Sequence, residues 1–114
     1  MTFLYCYFLI NKGLKLSSGK IASQVGHASQ LLTEKYINTD IWNMYNKSFY
    51  PKIILKVPND KIMQEILNET INYEKVMVID KGMTQCPPNT MTVVGFGPIM
   101  KNDVPNCFKN LKLL

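Results

Sequence analysis

The sequence predicts an α/β domain layered around a mixed four-stranded sheet. Apolar runs of strand length alternate with segments of helical period through the first three strands. A fourth strand-like run then follows the third with no helix between them. Alternation of this kind requires crossover connections, which make the pairings of the first three strands parallel. The helix-free loop invites an antiparallel partner for the fourth. At 114 residues the chain has room for one domain, 1–114, since single domains commonly run to roughly 100–150 residues. No repeat, low-complexity tract or linker divides it.

Residues 3–10 are rich in aromatic and branched side chains and read as a buried strand. Residues 11–16 form a loop containing Gly13. Ser17 and Ser18 then offer N-caps for a helix over 19–36. Its apolar positions Ile21, Val25, Ala28 and Leu32 recur at i, i+4, i+7 and i+11, which makes one buried stripe. Asn38 or Thr39 caps a shorter helix through Trp42 and Tyr45. After Pro51, residues 52–57 read as a second buried strand carrying Ile53, Ile54 and Leu55. Asn59 or Asp60 caps a helix with Ile62, Ile66 and Leu67 inward. A third strand over 74–79 ends at Asp80, and residues 81–89 are a loop rich in turn residues. The fourth strand covers 90–96 and is stopped by Gly97-Pro98. Asn102 or Asp103 caps a last short helix with Pro105 in its first turn.

Composition narrows the function. Hydrophobic residues make up 46% and charged residues 18% of the chain, ordinary values for a globular protein. The apolar run 2–10 is too short to span a bilayer and lacks the flanks of a signal peptide. The first strand begins almost at the start of the chain, so a cytoplasmic protein with no membrane segment is expected. The net charge is +5 and the pI about 9.1, which suggests an anionic partner, nucleic acid first. All 13 basic residues are lysines. The bidentate arginine reader of guanine or phosphate is missing, and point-charge lysines suit backbone binding without sequence readout. Cys6, Cys86 and Cys107 are far apart, form no CxxC pair and read as free thiols. One histidine cannot complete a cysteine-rich zinc site.

Two places could carry chemistry. Lys20, Gln24 and His27 lie at i, i+4 and i+7, so they share a helix face beside the apolar stripe. Lys20 falls in the first turn, near the positive end of the helix dipole, and with the Gly19 amide it could hold an anion. A solvated polar face is the competing reading. Asp80 follows the run 76–79, and in open α/β sheets ligands bind beyond the carboxyl ends of parallel strands. Asp80-Lys81-Gly82 is equally an ordinary turn sequence. Thr84 and Gln85 in the same loop, and Thr92 in the next strand, could orient a water or hold an ester carbonyl. Gly95-Phe96-Gly97-Pro98 is no dinucleotide fingerprint, and Walker, GxSxG and HExxH motifs are absent. No cofactor and no metal are indicated.

Residues 19–28, GKIASQVGHA, closely resemble the GKIAAQCSHA-like segment that opens the first helix of the type 2 peptidyl-tRNA hydrolases of archaea and eukaryotes. DKGMTQ at 80–85 resembles the family's DAGRTQ, TVVGFGP at 92–98 its TVLGIGP, and NLKLL at 110–114 its HLKLL-like terminus. These four segments occur in the family's order across nearly the whole chain. The resemblance implies a single three-layer domain, the four-stranded sheet having helices on both faces. It also implies hydrolysis of the peptidyl-tRNA ester without a metal or cofactor, which recycles tRNA from stalled translation. Lys20, Asp80 and Thr84 match the family's catalytic positions. Gln24, His27 and Thr92 match positions in or around the site, and Lys81 and Gln85 flank them in the loop, on the substrate. Asp80 would orient or deprotonate a water positioned by Thr84, while Lys20 would stabilise the oxyanion or hold the 3′-terminal nucleotide.

The departures are specific. The family's loop arginine is Met83 and its alanine is Lys81, so a positive charge has moved two places along the loop. Gly26 replaces a serine, and Asn110 the terminal histidine. None removes Lys20, Asp80 or Thr84, so activity is expected to persist. The competing classes are a non-catalytic tRNA-binding or adaptor protein on the same fold and a hydrolase of another ester. The sequence leaves a homodimer open.

Overall fold

Strand β1, Leu4–Asn11, forms where branched and aromatic side chains crowd together, and every residue of it from Cys6 onward is buried. The computed structural model describes residues 3–81 and 90–114. After β1 come α1 (Ser18–Tyr36), α2 (Asp40–Lys47), β2 (Lys52–Val57), α3 (Asp60–Glu69), β3 (Lys75–Asp80), β4 (Thr90–Met100) and β5 (Lys112–Leu113). Each of the three α-helices among the described residues starts at a side-chain cap legible in the sequence. Ser17 caps α1, Thr39 caps α2 and Asn59 caps α3, each accepting a hydrogen bond from a backbone N–H in the first turn. Such caps stabilise a helix by about 1 kcal/mol each.

The sheet order is β3-β4-β1-β2-β5. β1 and β2 pair in parallel, as the crossover through α1 and α2 requires. β3 does not join them. β4 lies between β3 and β1 and runs antiparallel to both, so β3 points along β1 without touching it. The expectation of parallel pairing among the first three strands therefore holds for one pair only.

Three further expectations need correcting. First, the described residues form five strands of the sheet, because Lys112 and Leu113 add antiparallel to β2 opposite Lys56 and Leu55. Its helical cover is uneven: α1 and α2 pack on one face, whereas α3 shares the other with the 3₁₀ turn Asn106–Asn110. The even three-layer arrangement is thus only approximate. Second, β4 runs through Gly97-Pro98 to Met100. Proline is tolerated in this central strand because the β1–β4 register slips between Tyr5–Ile99 and Tyr7–Phe96, setting Gly97 and Pro98 opposite Cys6 alone. No ladder donor is required of Pro98 in that bulge. The Cys6 N–H turns instead to the Pro51 carbonyl, and the Gly97 N–H to that of Glu74. Third, the last helix is two short 3₁₀ segments, Lys101–Asp103 and Asn106–Asn110, with Pro105 capping the second instead of lying in its first turn.

The core follows the period-two alternation of β1. Leu4, Cys6, Phe8 and Ile10 face α1 and α2, meeting Ile21, Ala28, Leu32, Trp42 and Tyr45. Tyr7 and Leu9 face α3, meeting Met63, Ile66 and Phe108. In α3 the fully buried side chains are Met63 and Ile66, while the expected Ile62 and Leu67 are half-buried. Gly95 lets α1 approach closely, since a Cβ there would lie 3.3 Å from side chains of Ala28, Leu32 and Phe8.

Candidate active site

The carboxyl ends of β1, β2 and β3 lie at one end of the sheet, and the β1–α1 connection brings the first turn of α1 to the same end. Ser17 anchors that turn by accepting the Lys20 N–H at 3.2 Å. The Lys20 side chain then reaches the sheet, with Nζ 2.5 Å from Oδ2 of Asp80, the last residue of β3. The Asp80 side chain is 3% exposed and that of Lys20 14%. An ammonium in the first helical turn opposes the helix dipole, and the carboxylate beneath it offsets that cost. One charge is therefore sealed in the protein and its partner sits at the mouth.

Behind this pair lies a second polar contact. Gln24, one turn along α1, is buried, and its Nε2 donates to Thr92 Oγ1 at 2.8 Å. The Thr92 hydroxyl in turn lies 3.4 Å from the Val78 carbonyl, to which it donates. Thr92 reaches α1 because of a bulge. Val78 pairs with Val93 and Ile79 with Met91, which leaves Thr92 as an extra residue on β4. Strict alternation would put Thr92 and Val93 on opposite faces. The bulge turns both toward α1, the kind of re-aiming for which bulges are used beside sites. Gln24 and Thr92 thus fix α1 against β4 and β3 immediately below Lys20 and Asp80.

His27 is on the same face of α1 but exposed, in a shallow cleft with Met77 and Ile79 of β3. Lys81 follows Asp80 and is exposed. Thr84 and Gln85 lie outside the described residues, as do Met83 and Cys86. Gly26, where the resemblance has a serine, is exposed, and a Cβ there would meet no atom within 4 Å. That departure has no packing consequence.

Nothing in the sequence singles out Asn11. It ends β1 at the same end of the sheet and is 1% exposed. Its Oδ1 accepts the Gly13 N–H at 3.1 Å and its Nδ2 donates to Asp60 Oδ1 at 2.5 Å. A polar residue closing an apolar run looks like a loop residue in sequence, and only its burial shows that it ties β1 to the start of α3. Among the described residues no three His, Cys, Asp or Glu side chains cluster in a way that could hold a metal ion.

The arrangement offers a carboxylate to orient or deprotonate a water and an ammonium beside it to meet developing negative charge. Comparison with known proteins identifies relatives of the chain. The family model described as peptidyl-tRNA hydrolase PTH2 matches residues 4–114. A peptidyl-tRNA hydrolase of Saccharolobus solfataricus is 36% identical over 114 aligned residues, covering 93% of this chain and 95% of the relative. Peptidyl-tRNA hydrolases of Methanococcus vannielii and Methanococcus maripaludis are 33% and 32% identical, with the same coverage.

Proposed function

The chain belongs to the peptidyl-tRNA hydrolase PTH2 family, and from that membership we infer that it acts where Lys20 meets Asp80. It hydrolyses the ester bond of peptidyl-tRNA, releasing free tRNA and peptide. The observation that carries the assignment of the site is the 2.5 Å contact between Lys20 and a buried Asp80 at the carboxyl end of β3.

In the reading we propose, Asp80 orients a water and takes its proton as the water oxygen attacks the ester carbonyl. The carbonyl oxygen becomes an oxyanion, and the Lys20 ammonium, already at the mouth, donates to it. Collapse of the tetrahedral centre breaks the bond to the ribose oxygen, which leaves with the proton that Asp80 took from the water. Thr84 positions the water or relays the proton, while Lys81, Gln85 and His27 contact the substrate around it. Gln24 and Thr92 act at one remove, by holding the Lys20 turn in place. No helix among the described residues is long and apolar enough to cross a membrane, and we place the reaction in the cytoplasm, where translation occurs. A homodimer is part of the same proposal, motivated by the exposed Met77 and Ile79 on edge strand β3 and open to sedimentation analysis, in which a monomer at all concentrations would discard it.

Lys20→Ala tests the role of the ammonium. Losing one aimed oxyanion donor costs about 10²–10³-fold in rate. The variant should lose that much in kcat with KM little changed. A rise in KM at unchanged kcat would reassign Lys20 to substrate binding.

A further inference from the structure

A second cavity lies far from the hydrolytic residues. It has a volume of about 440 Å³ and opens between α1, α2 and the amino ends of β1 and β2. Cys6 lies on its floor opposite Lys52. On β3, which runs in the same direction as β1, that level falls near Lys75. Asp80 is therefore roughly 16 Å further along the sheet, at about 3.3 Å per residue. The volume falls in the range of small-molecule sites, about 300–1,000 Å³.

Its lining combines three kinds of group. Trp42 and Tyr45 are buried behind the exposed Tyr50 and form an aromatic wall with it. The rings are tilted or edge-on, with centroids 5.0 Å apart for Trp42–Tyr45 and 5.5 Å for Tyr45–Tyr50. Lys52 stands at this wall with Nζ 5.7 Å from the Tyr45 ring and 5.5 Å from the Tyr50 ring. Its ammonium donates to the Tyr50 carbonyl at 2.9 Å, and among the described residues no carboxylate pairs with it. Asn43 and Asn46 line the cavity from α2, both exposed.

The chain takes up an unfavourable backbone to complete this wall. Phe49 and Tyr50 have φ of 65° and 57°, consecutive left-handed conformations at aromatic residues. Such outliers persist where the surrounding structure holds them and cluster at ligand sites. Here the strained turn sets the Tyr50 ring against Tyr45 and its carbonyl on Lys52.

We propose that this cavity binds a purine nucleotide, with the base on the exposed Tyr50 ring, its edge toward Asn43 and Asn46, and the phosphate at Lys52. Each part suits a different feature of that ligand. An exposed aromatic face such as that of Tyr50 takes a base by stacking, asparagine amides match the donor–acceptor edge of adenine, and a lysine without a carboxylate partner takes phosphate as a point charge. The site is separate from the hydrolytic one and does not depend on that reading. Its ligand is either a free nucleotide or an unpaired nucleotide of RNA.

The test uses Trp42, the single tryptophan of the chain, whose indole N–H gives one resonance in a ¹⁵N-correlated spectrum. Titration with adenosine 5′-monophosphate should shift that resonance saturably. Adenosine should bind about tenfold more weakly, the loss expected for one charge-assisted hydrogen bond. Lys52→Met, which keeps the stem over the rings and removes the charge, should bring the monophosphate to the level of adenosine. Asn43→Ala should weaken both, and neither variant should change hydrolase turnover. A ten-nucleotide oligoadenylate binding more tightly than the monophosphate identifies RNA as the source, and equal or weaker binding identifies the free nucleotide. No saturable shift of the folded protein at millimolar nucleotide would overturn the proposal. So would a shift indifferent to both Lys52→Met and Asn43→Ala.

Discussion

Gln24, Asp80 and Thr92 are three of the five polar or charged residues that the described structure buries, and all three lie beside or below Lys20. Burying a polar group is costly unless it is hydrogen-bonded, so the Gln24–Thr92 contact is as much a stability element as a positioning one. Thr92→Val keeps the shape and removes the hydroxyl, leaving the Gln24 amide buried without that partner. The variant should lose about 1–3 kcal/mol, read as a lower urea midpoint at unchanged m-value. An unchanged midpoint would show that Gln24 finds another partner. At this scale much is legible in the sequence: helical spacing puts Lys20, Gln24 and His27 on one face, and the strand end marks Asp80. Spacing does not show that Gln24 turns inward while His27 stays in solvent. Nor does it show the bulge that aims Thr92 at Gln24, because an extra residue in a strand leaves no local pattern. Asn11 escapes for the same kind of reason, its role lying in a contact 49 residues away.

At the scale of elements, the site depends on how α1 sits on the sheet. Gly95 of β4 is a point of close approach, and the three side chains that crowd its missing Cβ are all buried. Gly95→Ala should therefore push α1 outward and cost about 1–3 kcal/mol, as overpacking does. Because α1 carries Lys20, turnover should fall together with the thermal midpoint. A variant that loses stability but turns over normally would show that the Lys20–Asp80 geometry tolerates movement of the helix. Strands and caps are readable because branched runs and Ser, Thr and Asn at helix starts act locally. The differences between expectation and structure come from long-range effects. Gly97-Pro98 looks like a stop until the bulge opposite Cys6 removes the need for a donor. The pair Lys112–Leu113 is too short to show alternation and becomes a strand only against the free edge of β2. The insertion of β4 between β3 and β1 is a matter of partner choice, which local pattern does not encode.

Over the whole molecule the charge is distributed with a direction. Lys12, Lys15, Lys20, Lys56, Lys61, Lys81 and Lys112 lie toward the carboxyl ends of β1, β2 and β3, with Asp60 and Asp80 as the carboxylates among them. These lysines outnumber the two carboxylates, so net positive charge gathers at the end of the sheet that holds Lys20 and Asp80. The sequence discloses the sign of the charge but not its placement, which needs the fold. A lysine-only surface should hold tRNA through its phosphates and release it steeply as salt rises. Lys15→Ala and Lys81→Ala should each lower the slope of log Kd against log salt by about one, measured by filter binding. Slopes unchanged in both variants would move the RNA track elsewhere. Whether the Lys20–Asp80 pair does the chemistry is decided by release of free tRNA from an N-blocked aminoacyl-tRNA, wild type against Asp80→Asn. We expect clear turnover by the wild type and its collapse, by about 10²-fold or more, in a folded variant that still binds tRNA. Turnover that survives Asp80→Asn would place the hydrolytic chemistry away from this pair.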